Sequence, residues 1–264
     1  MEVRRQGLKS LPINRMIPNM LTLLALAAGL SSLRFALQER WEHAVLAIAA
    51  AAILDGLDGR IARILKGATK FGAELDSLSD FLCFGVAPAM TLYLWALEGA
   101  GRFGWSLVLV FCICCALRLA RFNTAGSEEN TPAWTRNFFV GVPSPAGAGM
   151  AMLPMILWIQ FEADFLRHPG FVAVFVLGTS ALLVSRIPTF SFKKIGILQS
   201  WILPTMAAVG LYLALLVSVP WITLSLTIIA YMASIPFGFR AHRHYSERDG
   251  EALIDVPAGD HSSE

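Results

Sequence analysis

The sequence predicts an all-α integral membrane protein with about eight transmembrane helices. Hydrophobic residues make up 56% of its 264 residues, whereas soluble domains are about 45–50% apolar. The mean hydropathy is +0.60. Apolar stretches of about 17–25 residues recur along the chain, and each can cross a hydrocarbon core of about 30 Å as a helix. Basic residues collect in alternate connections, which is typical of multi-pass membrane proteins.

The predicted spans follow one another with short connections. We expect them at residues 17–37, 43–65, 75–97, 103–121, 143–160, 170–185, 199–217 and 220–239. Residues 1–16 mix apolar and basic side chains, which indicates an interfacial amphipathic arm. Residues 17–240 form one transmembrane domain, because no long polar linker divides them. The polar and acidic residues 241–264 predict a disordered cytoplasmic tail.

The distribution of basic residues predicts the orientation in the membrane. With a cytoplasmic N-terminus and eight alternating spans, seventeen of the 21 Lys and Arg residues lie on the inner side. The outer side keeps Arg34, Arg40, Arg102 and Arg167. The positive-inside rule therefore places both termini and the aspartates of residues 55–80 toward the cytoplasm. We expect a multi-pass protein of the inner (cytoplasmic) membrane whose active site faces the cytoplasm. Its basic inner surface suits contact with anionic membrane lipids.

The second span carries carboxylates that are costly at membrane depth. Each costs at least about 2.5 kcal/mol there, which indicates a function. Asp55, Asp58, Gly59, Ala62 and Arg63 share one helical face, because their offsets are 3, 4, 7 and 8 residues. This face thus combines two carboxylates, a gap without a side chain and a guanidinium that could hold a phosphate.

The third span repeats the pattern, since Gly72, Asp76 and Asp80 recur at intervals of four residues. A short inner loop would bring the two stripes together around a polar hollow. Four carboxylates that close require cations. Oxygen ligands without histidine or cysteine favour Mg²⁺ or Mn²⁺, which commonly share their coordination with substrate phosphates. Gly59 and Gly72 would let a nucleotide or pyrophosphate approach the backbone.

Three alternatives compete with this interpretation. The aspartates could simply pair with the basic residues Arg60, Arg63, Lys66 and Lys70. The glycines could be helix-packing contacts, a role compatible with a ligand gap. Intramembrane carboxylates could also mark the cation path of a cation-coupled transporter, although such residues would be spread over several helices near the midplane.

The pattern D-x2-D-G-x2-A-R-x8-G-x3-D-x3-D, which runs from Asp55 to Asp80, resembles the signature of the CDP-alcohol phosphotransferase family. The matching residues are Asp55, Asp58, Gly59, Ala62, Arg63, Gly72, Asp76 and Asp80. Members are integral membrane enzymes that move a phosphatidyl group from a CDP-linked lipid to an alcohol. The resemblance implies a six-helix core, to which the last two spans are an addition.

The family resemblance also implies roles for individual residues. Asp55, Asp58 and Asp76 would ligate a two-ion site of Mg²⁺ or Mn²⁺, and Asp80 would complete it and act as the catalytic base. The residues implied in CDP-lipid binding are Asn19, Thr22, Asp55, Gly59, Arg63 and Thr69, the first two of which have helix capping as an alternative. The resemblance further implies a homodimer, and no nucleic acid is expected as a partner.

The acceptor alcohol is suggested by segments outside the signature. Arg118-Leu-Ala-Arg121-Phe-Asn123, together with residues 141–146 and 185–194, resembles the family's membrane-bound bacterial and archaeal branch that uses L-serine. We therefore expect phosphatidate transfer from CDP-diacylglycerol to L-serine, giving phosphatidylserine and CMP. Arg118, Arg121 and Asn123 would bind serine, with the arginines on its carboxylate. The alternative role of the two arginines is membrane anchoring or contact with lipid phosphates. The alternative acceptors are glycerol phosphate, inositol phosphate and choline.

Overall fold

The computed structural model describes residues 13–65, 69–125, 138–185, 188–190 and 202–236. Eight helices account for almost all of them. The helices are α1 Ile13–Leu37, α2 Trp41–Ile64, α3 Lys70–Ala100, α4 Arg102–Ala125, α5 Ser144–Phe161, α6 Pro169–Val184, α7 Ile202–Ser218 and α8 Pro220–Pro236. The predicted helical fold class and the helix count are confirmed, and each helix begins and ends within five residues of its predicted span.

Length and composition identify this chain as an integral membrane protein. Three helical segments are long and apolar enough to cross a membrane, namely Met16–Leu37, Lys70–Ala100 and Arg102–Thr124. The helices α6, α7 and α8 are apolar but shorter. Large apolar side chains also face outward, as Phe103 and Val217 do with 81% and 84% of their surface exposed. Such a surface is stable in lipid, which solvates it.

The interior is filled by aromatic and small side chains from α3, α4 and α5. Its largest fully buried side chains include Phe84, Trp95 and Phe111. α1 packs mainly on α2, whereas α6 packs on α4 and α5. At Gly29 of α1 an added Cβ would collide with the Cys83 side chain of α3. Small residues thus let α1 and α3 approach closely, which is the usual way that membrane helices pack.

α3 is a continuous helix with two π-helical segments. It is α-helical over Lys70–Asp80, π-helical over Phe81–Val86, α-helical over Ala87–Leu92 and π-helical again over Tyr93–Leu97. Short π segments inside α-helices occur often at functional sites. The first one begins directly after Asp80 and ends just before Pro88, which has no N–H to continue an α-helical ladder.

Two three-residue strands, β1 Phe138–Val140 and β2 Pro188–Phe190, form an antiparallel ladder. Gly141 follows β1 with a φ of +83°, a conformation that favours glycine. This turn leads the chain into α5. The ladder therefore joins the segment before α5 to the segment after α6.

The predicted domain boundaries fall mostly on residues outside this description. Residues 1–12 of the predicted amphipathic arm are not described, and residues 13–16 belong to α1. The predicted tail at 241–264 also lies outside the described residues. Both remain predictions.

Candidate active site

The two aspartate stripes meet where α2 ends and α3 begins. Carboxylate oxygens of Asp55, Asp76 and Asp80 all lie within 4.8 Å of one another. An ion that binds oxygen at about 2.1 Å spans ligands no more than about 4.2 Å apart. The upper bound of 4.8 Å is close to this span, so the three carboxylates are placed to share a divalent ion. The structure therefore brings the two stripes together, as the sequence predicts.

Asp80 contributes a buried oxygen to this cluster. Its Oδ1 atom is buried, and it has no hydrogen-bond partner within the described part of the chain. A buried carboxylate oxygen without a partner is costly, and a bound cation would remove that cost. The donor set consists of carboxylate oxygens, which suits a hard divalent ion. Asp55, Asp76 and Asp80 thus fit the metal site that the sequence predicts.

Asp58 lies beside this group of three and has a partner on α1. Its side chain is only 4% exposed. Thr22 Oγ1 donates to Asp58 Oδ2 across 2.7 Å, and the Pro18 carbonyl is 3.1 Å from the same hydroxyl. A hydroxyl has one hydrogen, and the shorter contact to a carboxylate is the stronger one. Thr22 therefore orients the fourth aspartate.

A small hollow next to the carboxylates collects most of the residues predicted to bind the CDP-lipid. It has a volume of about 130 Å³. Its lining consists of Pro18, Asn19, Thr22, Asp58, Gly59, Ala62, Thr69, Gly72, Ala73 and Asp76. Three helices and the turn before α3 thus bound a space that opens between two of the aspartates. Of the predicted CDP-lipid residues, Asp55 and Arg63 are outside this lining.

Gly59 and Gly72 have different reasons to be glycine. A Cβ added to Gly59 would meet no atom within 4 Å, so a side chain there would project into open space beside the hollow. A Cβ added to Gly72 would lie 2.7 Å from Asn19 Oδ1 and 3.1 Å from Thr69 Oγ1. Gly59 thus keeps space for a ligand, whereas Gly72 lets α1 approach α3.

The three hydroxyl and amide residues of the hollow also differ in their local roles. Asn19 and Thr22 lie well inside α1, which extends from Ile13, so the alternative of N-terminal helix capping is wrong for both. The residue that does cap a helix is Thr69, whose Oγ1 accepts from the Gly72 N–H at 3.0 Å. Its own hydroxyl hydrogen can still donate to a phosphate oxygen.

Arg63 does not contact the aspartates in this structure. Its Nε donates to the Gly59 carbonyl at 2.9 Å, one turn back along α2. The charged groups near Asp76 are the carboxylates of Asp55, Asp58 and Asp80. Within the described residues, the alternative in which basic residues neutralise the aspartates thus has no ion pair to support it, and Lys66 lies outside them.

Arg118 is the predicted acceptor residue that interacts electrostatically with Asp80. Only 8% of its surface is exposed, and its charge interacts with that of Asp80. Its Nε donates to the Val142 carbonyl, and its Nη1 donates to Ser144 Oγ at 2.8 Å. The guanidinium is therefore held in place by the start of α5 on the side of Asp80.

Arg121 and Asn123 connect α4 to two other helices. Arg121 donates to the carbonyls of Val184 at 2.8 Å and Ser185 at 3.1 Å, where α6 ends. Asn123 Nδ2 donates to Ser77 Oγ of α3 at 2.9 Å. Both residues have clear structural contacts, and their binding of an acceptor remains a prediction.

The sequence interpretation gave no role to the two serines in these contacts. Ser144 stands between two prolines at the start of α5 and holds Arg118. Ser77 follows Asp76 on α3 and holds Asn123. A signal was present for each, since both are polar residues beside motif positions, but their partners lie on another helix.

Comparison with known proteins identifies the group to which this site belongs. The sequence model of the family described as CDP-alcohol phosphatidyltransferase matches residues 15–187, which include every residue of the site. The chain belongs to this family. A second family model, CDP-alcohol phosphatidyltransferase 2, matches residues 200–236. The family resemblance of the signature from Asp55 to Asp80 is thereby confirmed.

Several relatives of this CDP-alcohol phosphatidyltransferase carry the name CDP-diacylglycerol–serine O-phosphatidyltransferase. The protein from Mycobacterium leprae is 41% identical over 87% of this chain and 76% of its own length. The protein from Helicobacter pylori is 32% identical over 84% of this chain and 91% of its own. The protein from Bacillus subtilis is 35% identical over 67% of this chain and 92% of its own.

Proposed function

We propose that this protein transfers the phosphatidyl group of CDP-diacylglycerol to the hydroxyl of L-serine, giving phosphatidylserine and CMP. The observation that carries the transfer chemistry is the cluster of Asp55, Asp76 and Asp80 beside the hollow of the CDP-lipid residues. The choice of serine is supported by the names of the relatives, which agree across distant bacteria.

The chemistry assigned to the chain's own residues is a proton transfer and the orientation of two substrates. Asp80 takes the proton of the serine hydroxyl, whose oxygen then bonds to phosphorus while the bond from phosphorus to the CMP oxygen breaks. Asp55, Asp58, Asp76 and Asp80 would hold Mg²⁺ or Mn²⁺. Two such ions, when bound, would neutralise charge on the phosphate oxygens and favour the departure of CMP. A single in-line displacement predicts inversion at phosphorus, and retention would indicate a covalent phosphatidyl-enzyme.

The CDP moiety is proposed to enter the hollow between α1, α2 and α3. Asn19 and Thr69 offer amide and hydroxyl groups there, and Gly59 leaves its face of α2 open. Thr22 acts through Asp58, which it orients. Arg63 would need to turn away from the Gly59 carbonyl to reach a phosphate, a rotation that its long exposed side chain allows.

The acceptor is proposed to bind on the other side of Asp80, toward α4. Arg118 is suited to the serine carboxylate, because its guanidinium is buried, fixed by Ser144 and close enough to Asp80 for their charges to interact. Arg121 and Asn123 would bound the same region from the end of α4. Their present contacts make positioning of the helices their first role.

The membrane placement is part of this proposal. We place the protein in the inner (cytoplasmic) membrane, with the aspartates facing the cytoplasm, where CMP is released. The support is the excess of basic residues in the connections on that side. A homodimer is proposed from the family resemblance alone.

An acceptor panel tests this function. The purified protein would be incubated with CDP-diacylglycerol, Mg²⁺ or Mn²⁺, and labelled L-serine, glycerol phosphate, inositol phosphate or choline. CMP release and the lipid formed would be measured, with metal-free samples as controls. We expect phosphatidylserine from serine and no transfer without metal. Transfer to another alcohol alone would contradict the choice of serine and leave the transferase chemistry standing.

A further inference from the structure

The helix α8 brings a tyrosine to the acceptor side of the site. Tyr231 lies outside the match of the main family model, which ends at residue 187. Its hydroxyl oxygen is buried, although most side chains of α8 are partly or fully exposed. Tyr231 thus brings a buried phenolic hydroxyl to the edge of the membrane domain.

The packing of α8 explains how Tyr231 reaches this position. Its residues Pro220, Leu224, Thr227, Ile228 and Tyr231 line a cleft of about 560 Å³ between α2, α5, α7 and α8. These residues follow the spacing of one helical face. Tyr231 is therefore the last member of an inward-facing stripe, at the end of the cleft where α8 approaches its C-terminus.

The contact between α8 and α5 shows which residues of the two helices lie side by side at this end of the cleft. A Cβ added to Gly149 of α5 would lie 3.4 Å from the Ile228 side chain. Tyr231 is three residues beyond Ile228, which is about 4.5 Å farther along α8. Pro145 lines the same cleft at the start of α5. The residue before Pro145 is Ser144, the hydroxyl that holds Arg118.

The same packing brings Tyr231 toward this arginine, because Pro145 lines the cleft together with Tyr231 and its neighbour Ser144 holds Arg118. Arg118 also interacts electrostatically with Asp80 and Tyr231, which supports this placement. Tyr231 is thus the contribution of α8 to the surroundings of Arg118, on a helix that comes more than a hundred residues later in the chain. The guanidinium has Asp80 and Tyr231 among its neighbours, and both belong to the region where the acceptor is proposed to bind.

This juxtaposition matches the chemistry of an amino-acid acceptor. Serine brings a carboxylate, and two of the nitrogens of Arg118 already donate to Val142 and Ser144. A second donor next to the guanidinium would let the carboxylate be held in one orientation rather than only attracted. A phenol hydroxyl can donate to a carboxylate while it remains neutral, so it adds no further charge to bury.

We infer that Tyr231 is a specificity-determining residue for the acceptor, whose hydroxyl donates to the carboxylate that Arg118 binds and so turns the acceptor hydroxyl toward Asp80. The inference rests on the proposed function, because it assigns one group of the serine acceptor to one residue of α8. It makes α8 a part of the acceptor site in addition to its role in packing.

The substitution Tyr231→Phe tests this inference, because it removes only the hydroxyl. Tyr212→Phe is the matched control, since Tyr212 lines the same cleft and its hydroxyl lies 3.3 Å from Thr227 Oγ1 within the α7–α8 pair. A lost hydrogen bond to a charged group predicts that Y231F raises the KM for serine about tenfold or more. We expect its KM for CDP-diacylglycerol, its thermal unfolding temperature and all parameters of Y212F to stay near those of the wild type.

The outcomes separate this inference from the proposed function. A wild-type enzyme that makes phosphatidylserine, with a Y231F variant whose KM for serine changes less than about twofold, overturns the role of Tyr231 alone. Equal rises in the KM for both substrates, or a loss of stability that Y212F shares, also overturn it, because they indicate packing. A wild-type enzyme that does not use serine overturns the proposed function first.

Discussion

Replacing Thr22 with Val should weaken the metal site without altering the fold. The substitution keeps the shape of the side chain and removes the hydroxyl that donates to Asp58 Oδ2 at 2.7 Å. Asp58 is only 4% exposed, so water cannot readily replace the lost donor. A hydrogen bond to a charged group contributes about 1.5–3 kcal/mol. Partners that orient a metal ligand typically change metal affinity by about 10–100-fold.

The assay for T22V is the dependence of transfer activity on Mg²⁺ and Mn²⁺ concentration. We expect the concentration at half-maximal activity to rise about tenfold or more. Thr22→Ser is the matched control, because it keeps the hydroxyl and should stay near the wild type. The KM for CDP-diacylglycerol at saturating metal separates a direct contact with the nucleotide from an effect through Asp58. A T22V enzyme with the metal requirement of the wild type would refute the reasoning.

Four other substitutions test the remaining parts of the site. Asp80→Asn should abolish turnover but leave CDP-lipid binding largely intact in an equilibrium assay, and substantial turnover would remove Asp80 from the role of base. Gly59→Ala should raise the KM for the CDP-lipid at unchanged thermal stability, because its Cβ meets no protein atom. Gly72→Ala should instead displace Asn19 and weaken the cap of α3 by about 1 kcal/mol. The same response from both variants would contradict their distinct roles. Arg121→Ala should lower the thermal unfolding temperature, because the end of α6 loses its donor, and an unchanged temperature would argue against this helix contact.

The helices could be predicted from the sequence because their cause is local. A run of apolar residues long enough to cross a membrane must satisfy its backbone internally, and a helix does so without partners. The ends of α2 and α5 therefore fall within two residues of the predicted spans. The aspartate stripes were equally accessible, since spacing along one helix determines which residues share a face.

Contacts between helices could not be predicted in the same way. The interpretation of Arg118 and Arg121 as a pair with one role did not foresee that they connect α4 to α5 and to α6. Thr22 was expected at the nucleotide, and its hydroxyl donates to an aspartate of α2. Such partners depend on how neighbouring helices are rotated and shifted relative to each other, which hydropathy does not record.

The first π segment of α3 changes the rotation of one half of that helix, about its axis, relative to the other half. A π turn contains one more residue than an α turn, and one residue corresponds to a rotation of about 100°. Removing one residue within Phe81–Val86 would therefore turn the aspartate stripe of Lys70–Asp80 away from Asp55 while Trp95 stayed in the core. For the same reason, we expect that substitutions in the buried part of α3 beyond Pro88 leave the positions of the carboxylates unchanged. The π segment therefore sets the rotation of the carboxylate half of α3 relative to its buried half.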